Sequence, residues 1–320
     1  MKRTISIILV IMALFSLTGC TETPRYLRVW IFQDDTSNLE EAETSGAPLV
    51  GKPLDDYSKE KIQQLLLNLK EAYGIEKQLP PSYLVSSEEL ERWAYGEEHP
   101  NITVAGLFDQ KKGRLFVSDV EDNATILHEL IHYLKDDGSG NYRLGYQLDD
   151  FRQGAAFEEG ATNFLASEIA PVVSYQFETF VAETFATAYG KEAFQKDFFS
   201  SDMFEKFRDD FNQSLENVYE EAILEGLVLT PFDILVGDLE TYRFCCTIVG
   251  TEYDQVTQFG VSASALDAAR VGDSIVEMLL FYGEAKGVKA EQQELLKEFL
   301  EKEEMSWWTA LSNLEKLAKG

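Results

Sequence analysis

Hydrophobic positions recur along this chain with two different spacings, and the places where the spacing changes outline its elements. Tyr26 to Gln33 is rich in β-branched and aromatic residues and predicts a first strand, followed by an acidic surface loop over Asp34 to Pro48. Behind Asp55 and Asp56, the residues Ile62, Leu65, Leu66 and Leu69 share one helical face, and Gly74 stops a helix that runs through Tyr73. Pro80 and Pro81 break the chain, and Ser86 to Glu89 opens another short helix. Ile102 to Phe108 and Arg114 to Ser118 alternate as strands do, on either side of Asp109 to Gly113, which is a hairpin pattern with glycine at the turn. Asp119 to Asn123 then offers caps for a helix over 123–135 that carries Leu127, Leu130, Ile131 and Leu134.

Gly138 to Gly140 ends that helix. After a polar stretch a second helix is predicted over 154–169, punctuated by Pro171. Beyond it the spacing is almost wholly helical. Phe177, Phe180, Val181, Phe185 and Ala188 form one stripe, and Phe204, Phe207, Phe211, Leu215 and Val218 another. Such stripes read as core packing rather than a ligand channel. The expected class is α+β and mainly helical, with a small antiparallel sheet or hairpin packed on the 123–135 helix and a helical C-terminal half. Two regions follow, 20–170 and 171–320.

Charge narrows the function. With 28 basic against 56 acidic residues the net charge is −28, so phosphate backbones are repelled and nucleic acid is excluded as a partner. Three cysteines do not build a disulfide scaffold. Cys245 and Cys246 are adjacent, a bond between them would be strained, and two buried thiols are the reading taken here.

The N-terminus reads as an address. Lys2 and Arg3 precede Ile5 to Phe15, which is apolar apart from Ser6 and too short to span a bilayer as a helix. The run ends in Leu17-Thr18-Gly19-Cys20. This resembles the lipobox of bacterial lipoproteins. The resemblance implies that residues 1–19 are a signal peptide, that Cys20 is lipidated, and that the chain is held at the bacterial cell envelope outside the cytoplasm.

Candidate chemistry concentrates in one window. Of only three histidines, two fall in His128-Glu129-Leu130-Ile131-His132 on the helix after the hairpin. A spacing of four puts both imidazoles on one helix face, where they can hold one metal ion, expected to be a single Zn2+. Glu129 lies roughly 100° round the helix, beside the metal rather than on it, so its carboxylate is free to take a proton from water. Zinc keeps one position open and so needs a third protein ligand. No histidine follows His132, which leaves a carboxylate, and Phe157-Glu158-Glu159-Gly160-Ala161-Thr162-Asn163 offers one on the next helix.

Here the chain resembles the gluzincins, zinc peptidases in which a second helix supplies a glutamate, often directly before glycine, as Glu159 stands. The resemblance covers about a fifth of the chain, from Ile102 to Ile169. It implies His128, His132 and Glu159 as ligands in preference to Glu158 or Glu168, Glu129 as the general base, and hydrolysis of a peptide or protein substrate. Gluzincins of the thermolysin type carry an aspartate four residues past the third ligand; Asn163 stands there and can still accept a hydrogen bond. The family's substrate-pairing edge strand falls on Arg114 to Ser118. Its transition-state donor falls among Tyr133, Tyr142, Tyr146, Tyr175, Tyr189 and His99, which the sequence does not rank. The rival expectation is a non-catalytic surface lipoprotein, a binding or structural module whose metal site is degenerate or structural.

Overall fold

The computed structural model describes residues 51–95, 104–139, 144–148, 151–172, 174–219, 222–224, 227–243 and 263–302. The expected signal segment, Cys20, the Tyr26 to Gln33 strand, His99, Tyr142, Cys245 and Cys246 lie outside them. Strand β1 (Lys52–Pro53) leads into helix α1 (Asp56–Tyr73), then β2 (Ser82–Leu84) and helix α2 (Ser87–Tyr95). The hairpin β3 (Gly106–Asp109) and β4 (Arg114–Val117) feeds helix α3 (Asn123–Lys135). A small hairpin, β5 (Tyr146–Leu148) and β6 (Phe151–Gln153), precedes α4 (Ala155–Ser167). Then come α5 (Gln176–Tyr189), α6 (Lys191–Phe198), α7 (Met203–Leu215), strands β7 (Ala222–Leu224) and β8 (Leu227–Leu229), helix α8 over 231–243, α9 (Ala263–Lys286) and α10 (Lys289–Lys302). The α+β, mainly helical class and the helical C-terminal half are as expected.

Local signals explain the helix ends. Asp55 accepts from Ser58 N at 2.8 Å at the start of α1, and Gly74, at φ 71°, closes it in the left-handed conformation that glycine tolerates best. Asp122 caps α3 by accepting from Thr125 N at 3.1 Å. At the other end of α3, the Lys77 ammonium donates to the carbonyls of Tyr133 and Asp136, a cation on the negative pole of the helix.

Strand order departs from the reading of the sequence in one consequential way. The four-stranded sheet runs β1-β2-β4-β3, so Arg114–Val117 lies inside it, with β2 parallel on one side and β3 antiparallel on the other. The expected edge strand is therefore an inner one, and Gly106–Asp109 takes the edge. The reason is the long β2-to-β4 connection, which brings Ser82–Leu84 alongside Leu115–Val117 by a crossover that leaves no local periodicity. The hairpins β5–β6 and β7–β8 also interrupt stretches expected to be polar loop and helix; three-residue strands are too short to show a period.

One apolar cluster runs from Leu54 through α3, α4 and α5 to Tyr282 on α9. The Phe stripes lie in or against it, except for Val218, which stands past the end of α7 and is exposed. Phe185 sits among Phe157, Phe207, Phe211, Phe232 and Tyr282, and Phe194 stacks on Phe207 at 4.9 Å with the rings nearly parallel. Two glycines permit the close approaches that matter for the polar centre. A Cβ on Gly160 would stand 2.2 Å from the carbonyl oxygen of Glu178, so α4 and α5 touch backbone to backbone there. A Cβ on Gly106 would stand 2.5 Å from Thr125 Cγ2 and 3.0 Å from Glu129 Cγ, so β3 can lie against α3 only as glycine.

Candidate metal centre

Helices α3 and α4 bring three donor atoms together. His128 and His132, one turn apart on α3, approach with Nε2 to Nε2 at 3.0 Å. Glu159 on α4 places Oε2 at 2.9 Å from His128 Nε2 and 3.6 Å from His132 Nε2. All three residues are buried, and together they form a group able to hold a metal ion. Glu159 Oε2 makes no hydrogen bond despite being enclosed. Two ring nitrogens and a carboxylate oxygen crowded together inside the protein form an arrangement that a cation can bridge, and the donor set suits zinc and related divalent ions.

The electrostatics of the cluster tell the same story. Burial would lower the basicity of His128, but the Glu159 carboxylate outweighs it and pushes the imidazole up to about 9. Burial would raise Glu159, but the charges of His132 and His128 hold its carboxyl well below the usual range. A cation held by these three groups would compete with a proton for them. Glu129 is pushed above the ordinary carboxylate range by burial, which the two histidines only partly offset.

Each predicted residue can now be placed. Glu129 stands aside from the triad and accepts from Phe108 N on β3 at 2.7 Å. Asn163 accepts from His128 Nδ1 at 2.6 Å, which fixes a proton on Nδ1 and makes Nε2 the nitrogen that faces the triad. The amide nitrogen of Asn163 donates to Ser174 O at 2.7 Å and to Ser174 Oγ at 3.0 Å. That double use explains asparagine: a carboxylate here would set an oxygen against the Ser174 carbonyl. His132 Nδ1 is buried without a hydrogen-bond partner among the described residues. Glu158 turns away from the triad to Lys135, and Glu168 bonds Tyr73 and Gln195.

Of the aromatic candidates, Tyr175 alone among the described residues reaches the triad. Its ring stacks on His128 at 5.7 Å and 22°, with the Arg243 guanidinium 4.8 Å over the same ring. Tyr175 holds φ at 49°, unusual for a non-glycine residue, at the N-terminus of α5. Tyr133, Tyr146 and Tyr189 are occupied elsewhere, donating to Gln78 O, Asp233 and Asp197. Arg243 is a residue the sequence did not single out. Burial would lower its basicity, but Tyr175, Glu178, Glu159 and Glu240 raise it. It stands over a hundred positions downstream of His128, beyond the reach of any local motif.

Comparison with protein-family models, with curated proteins and with solved structures finds no match to this chain. No described helix is long and apolar enough to cross a membrane.

Proposed function

We propose that this chain is a zinc-dependent metallohydrolase of gluzincin type, and that it cleaves peptide bonds. The observation that carries the reading is the convergence of His128, His132 and Glu159 while Glu129, on the same helix, is left out of the triad. A purely structural zinc site closes with four protein ligands and has no use for a spare base beside it. Zinc held by the triad would supply Lewis acidity toward a carbonyl and toward water. Glu129, whose proton affinity burial raises, is suited to take a proton from that water and return it to the leaving amine. Asn163 holds the His128 ring at the angle the ligand set needs.

The outer side of β3 supports a backbone-reading substrate mode. Ser118 N donates to Ala105 O, so in this register Gly106 and Phe108 turn their backbone groups away from β4. Phe108 N already meets Glu129, which brings that edge directly to the base. An extended peptide added to β3 would pass alongside the triad. The lipobox-like Leu17 to Cys20 supports a chain tethered by lipid on Cys20 at the outer side of a bacterial membrane, where peptides or proteins would be its substrates.

The test loads the full chain with zinc and screens a peptide library. About one zinc per chain and cleavage are expected for wild type. Glu129→Gln should keep the zinc and lose turnover by at least about 1000-fold. Retained activity in that variant removes Glu129 as base, and a wild type that takes up zinc but cleaves nothing leaves the tethered binding module instead.

A further inference from the structure

Helix α4 carries two consecutive buried glutamates, and they face different partners on α3. Glu159 meets the histidines, whereas Glu158 Oε1 accepts from Lys135 Nζ at 2.5 Å. The side chains of Lys135 and Glu158 are only 7% and 1% exposed, so this is an ion pair shut away from water. Both Glu158 oxygens are used: Oε2 accepts from Gly145 N at 2.8 Å, at a glycine with φ of 75° packed against the Gln153 carbonyl. The ammonium is walled by the Met203 sulfur at 3.3 Å and by the Phe198 ring at 4.7 Å, with Phe204 beyond.

Successive residues on a helix are separated by about 100°, so a turn of α4 by one position would exchange the two carboxylates. Lys135 lies three residues beyond His132, on the neighbouring part of the same α3 surface. The same two helices are thus joined at adjacent points, once by a cation and once by the imidazole pair. Moving Glu158 toward the histidines would break an ion pair that is shut away from water, a costly change. We propose that Lys135 and Glu158 are positioning residues that set the rotational register of α4 and so make Glu159, not Glu158, the third donor. This rests on the metal-centre reading above. It also implies that the site is assembled before the ion arrives, because the pair needs no metal.

The test compares wild type with Lys135→Met/Glu158→Gln, which removes both charges of the pair together. Zinc affinity is measured on the full chain by chelator competition, geometry by the visible absorption of bound Co2+, and metal-free stability by thermal unfolding. The double variant is expected to fold, to bind zinc about 10- to 100-fold more weakly, and to change the Co2+ spectrum. Should it not fold, Lys135→Met alone, in which Glu158 can take a proton and keep its contact with Gly145 N, is expected to shift both readouts in the same direction by about 10-fold in affinity. A folded variant with wild-type zinc affinity and an unchanged Co2+ spectrum, even with a lower Tm, overturns the proposal and leaves the pair a stabilising contact. Wild type that takes up neither Zn2+ nor Co2+ overturns the metal reading beneath it as well.

Discussion

Helix α4 is buried on every side, yet its two flanks are buried against opposite kinds of neighbour. One flank presents Phe157, Ala161, Phe164 and Leu165 to an aromatic core in which rings contact rings at centroid separations of about 5 to 6.5 Å. The other presents Glu159 and Asn163 to a polar crossing of charged and hydrogen-bonded groups, with Glu158 at the border between the two. The aromatic flank is non-directional: it rewards buried area and tolerates exchange among residues of similar size. The polar flank is directional, since each group costs free energy when its partner moves. The directional contacts of this helix therefore lie on one flank and most of its apolar burial on the other.

Substitutions on the two flanks should separate accordingly. The largest effect is expected for His132→Ala, which removes one of three ligands. Zinc affinity should fall by at least about 1000-fold, about 4 kcal/mol, while the metal-free protein unfolds near the wild-type temperature. On the aromatic flank, Phe185→Ala should lower stability by about 4 kcal/mol in denaturant unfolding, with zinc affinity of the folded protein nearly unchanged. Strong loss of zinc binding in that variant would show that the two flanks are not independent.

A third substitution extends the comparison to a buried carboxylate away from the crossing. Asp238 on α8 is enclosed, with Ser274 Oγ at 3.2 Å as its hydrogen-bond partner, and burial pushes its carboxyl up to about 7. A raised acid binds more protons folded than unfolded, so stability should decline as pH rises from about 4 to 7 and stay lower above. Asp238→Asn should remove that slope and add up to about 4 kcal/mol at pH 8, with no gain below pH 4; parallel unfolding curves at the two pH values check it.

The smallest and most discriminating change is Asn163→Asp, which installs the residue that thermolysin-type gluzincins carry. On charge alone it should tighten the metal. In this structure it replaces the amide that donates to Ser174 O with an oxygen, so affinity is expected to fall by about 10-fold, about 1.4 kcal/mol. Tighter zinc binding would mean that the Ser174 contact yields and the polar flank is less directional than it looks.

The HExxH helix, its Asp122 cap, the helix that follows it and the two Phe stripes were legible because each is written in residues a few positions apart, where helical periodicity and capping chemistry operate. The same holds for His128 and His132, whose shared face follows from a spacing of four. Glu159 is an intermediate case: the lack of further histidines called for a carboxylate and the resemblance to gluzincins preferred Glu159, but what brings it rather than Glu158 to the histidines is how α4 packs on α3. Beyond that distance the chain alone was silent. It placed the edge strand at Arg114 to Ser118, whereas the β2–β4 pairing moves the edge to Gly106–Asp109. It could not rank Tyr175 among the tyrosines or find Arg243, since stacking on His128 joins residues far apart in the sequence. Local elements are set by interactions within a few residues, whereas the metal triad's third donor, its supporting contacts and the strand beside it are set by how those elements pack, and packing is decided by long-range burial that no short window of sequence contains.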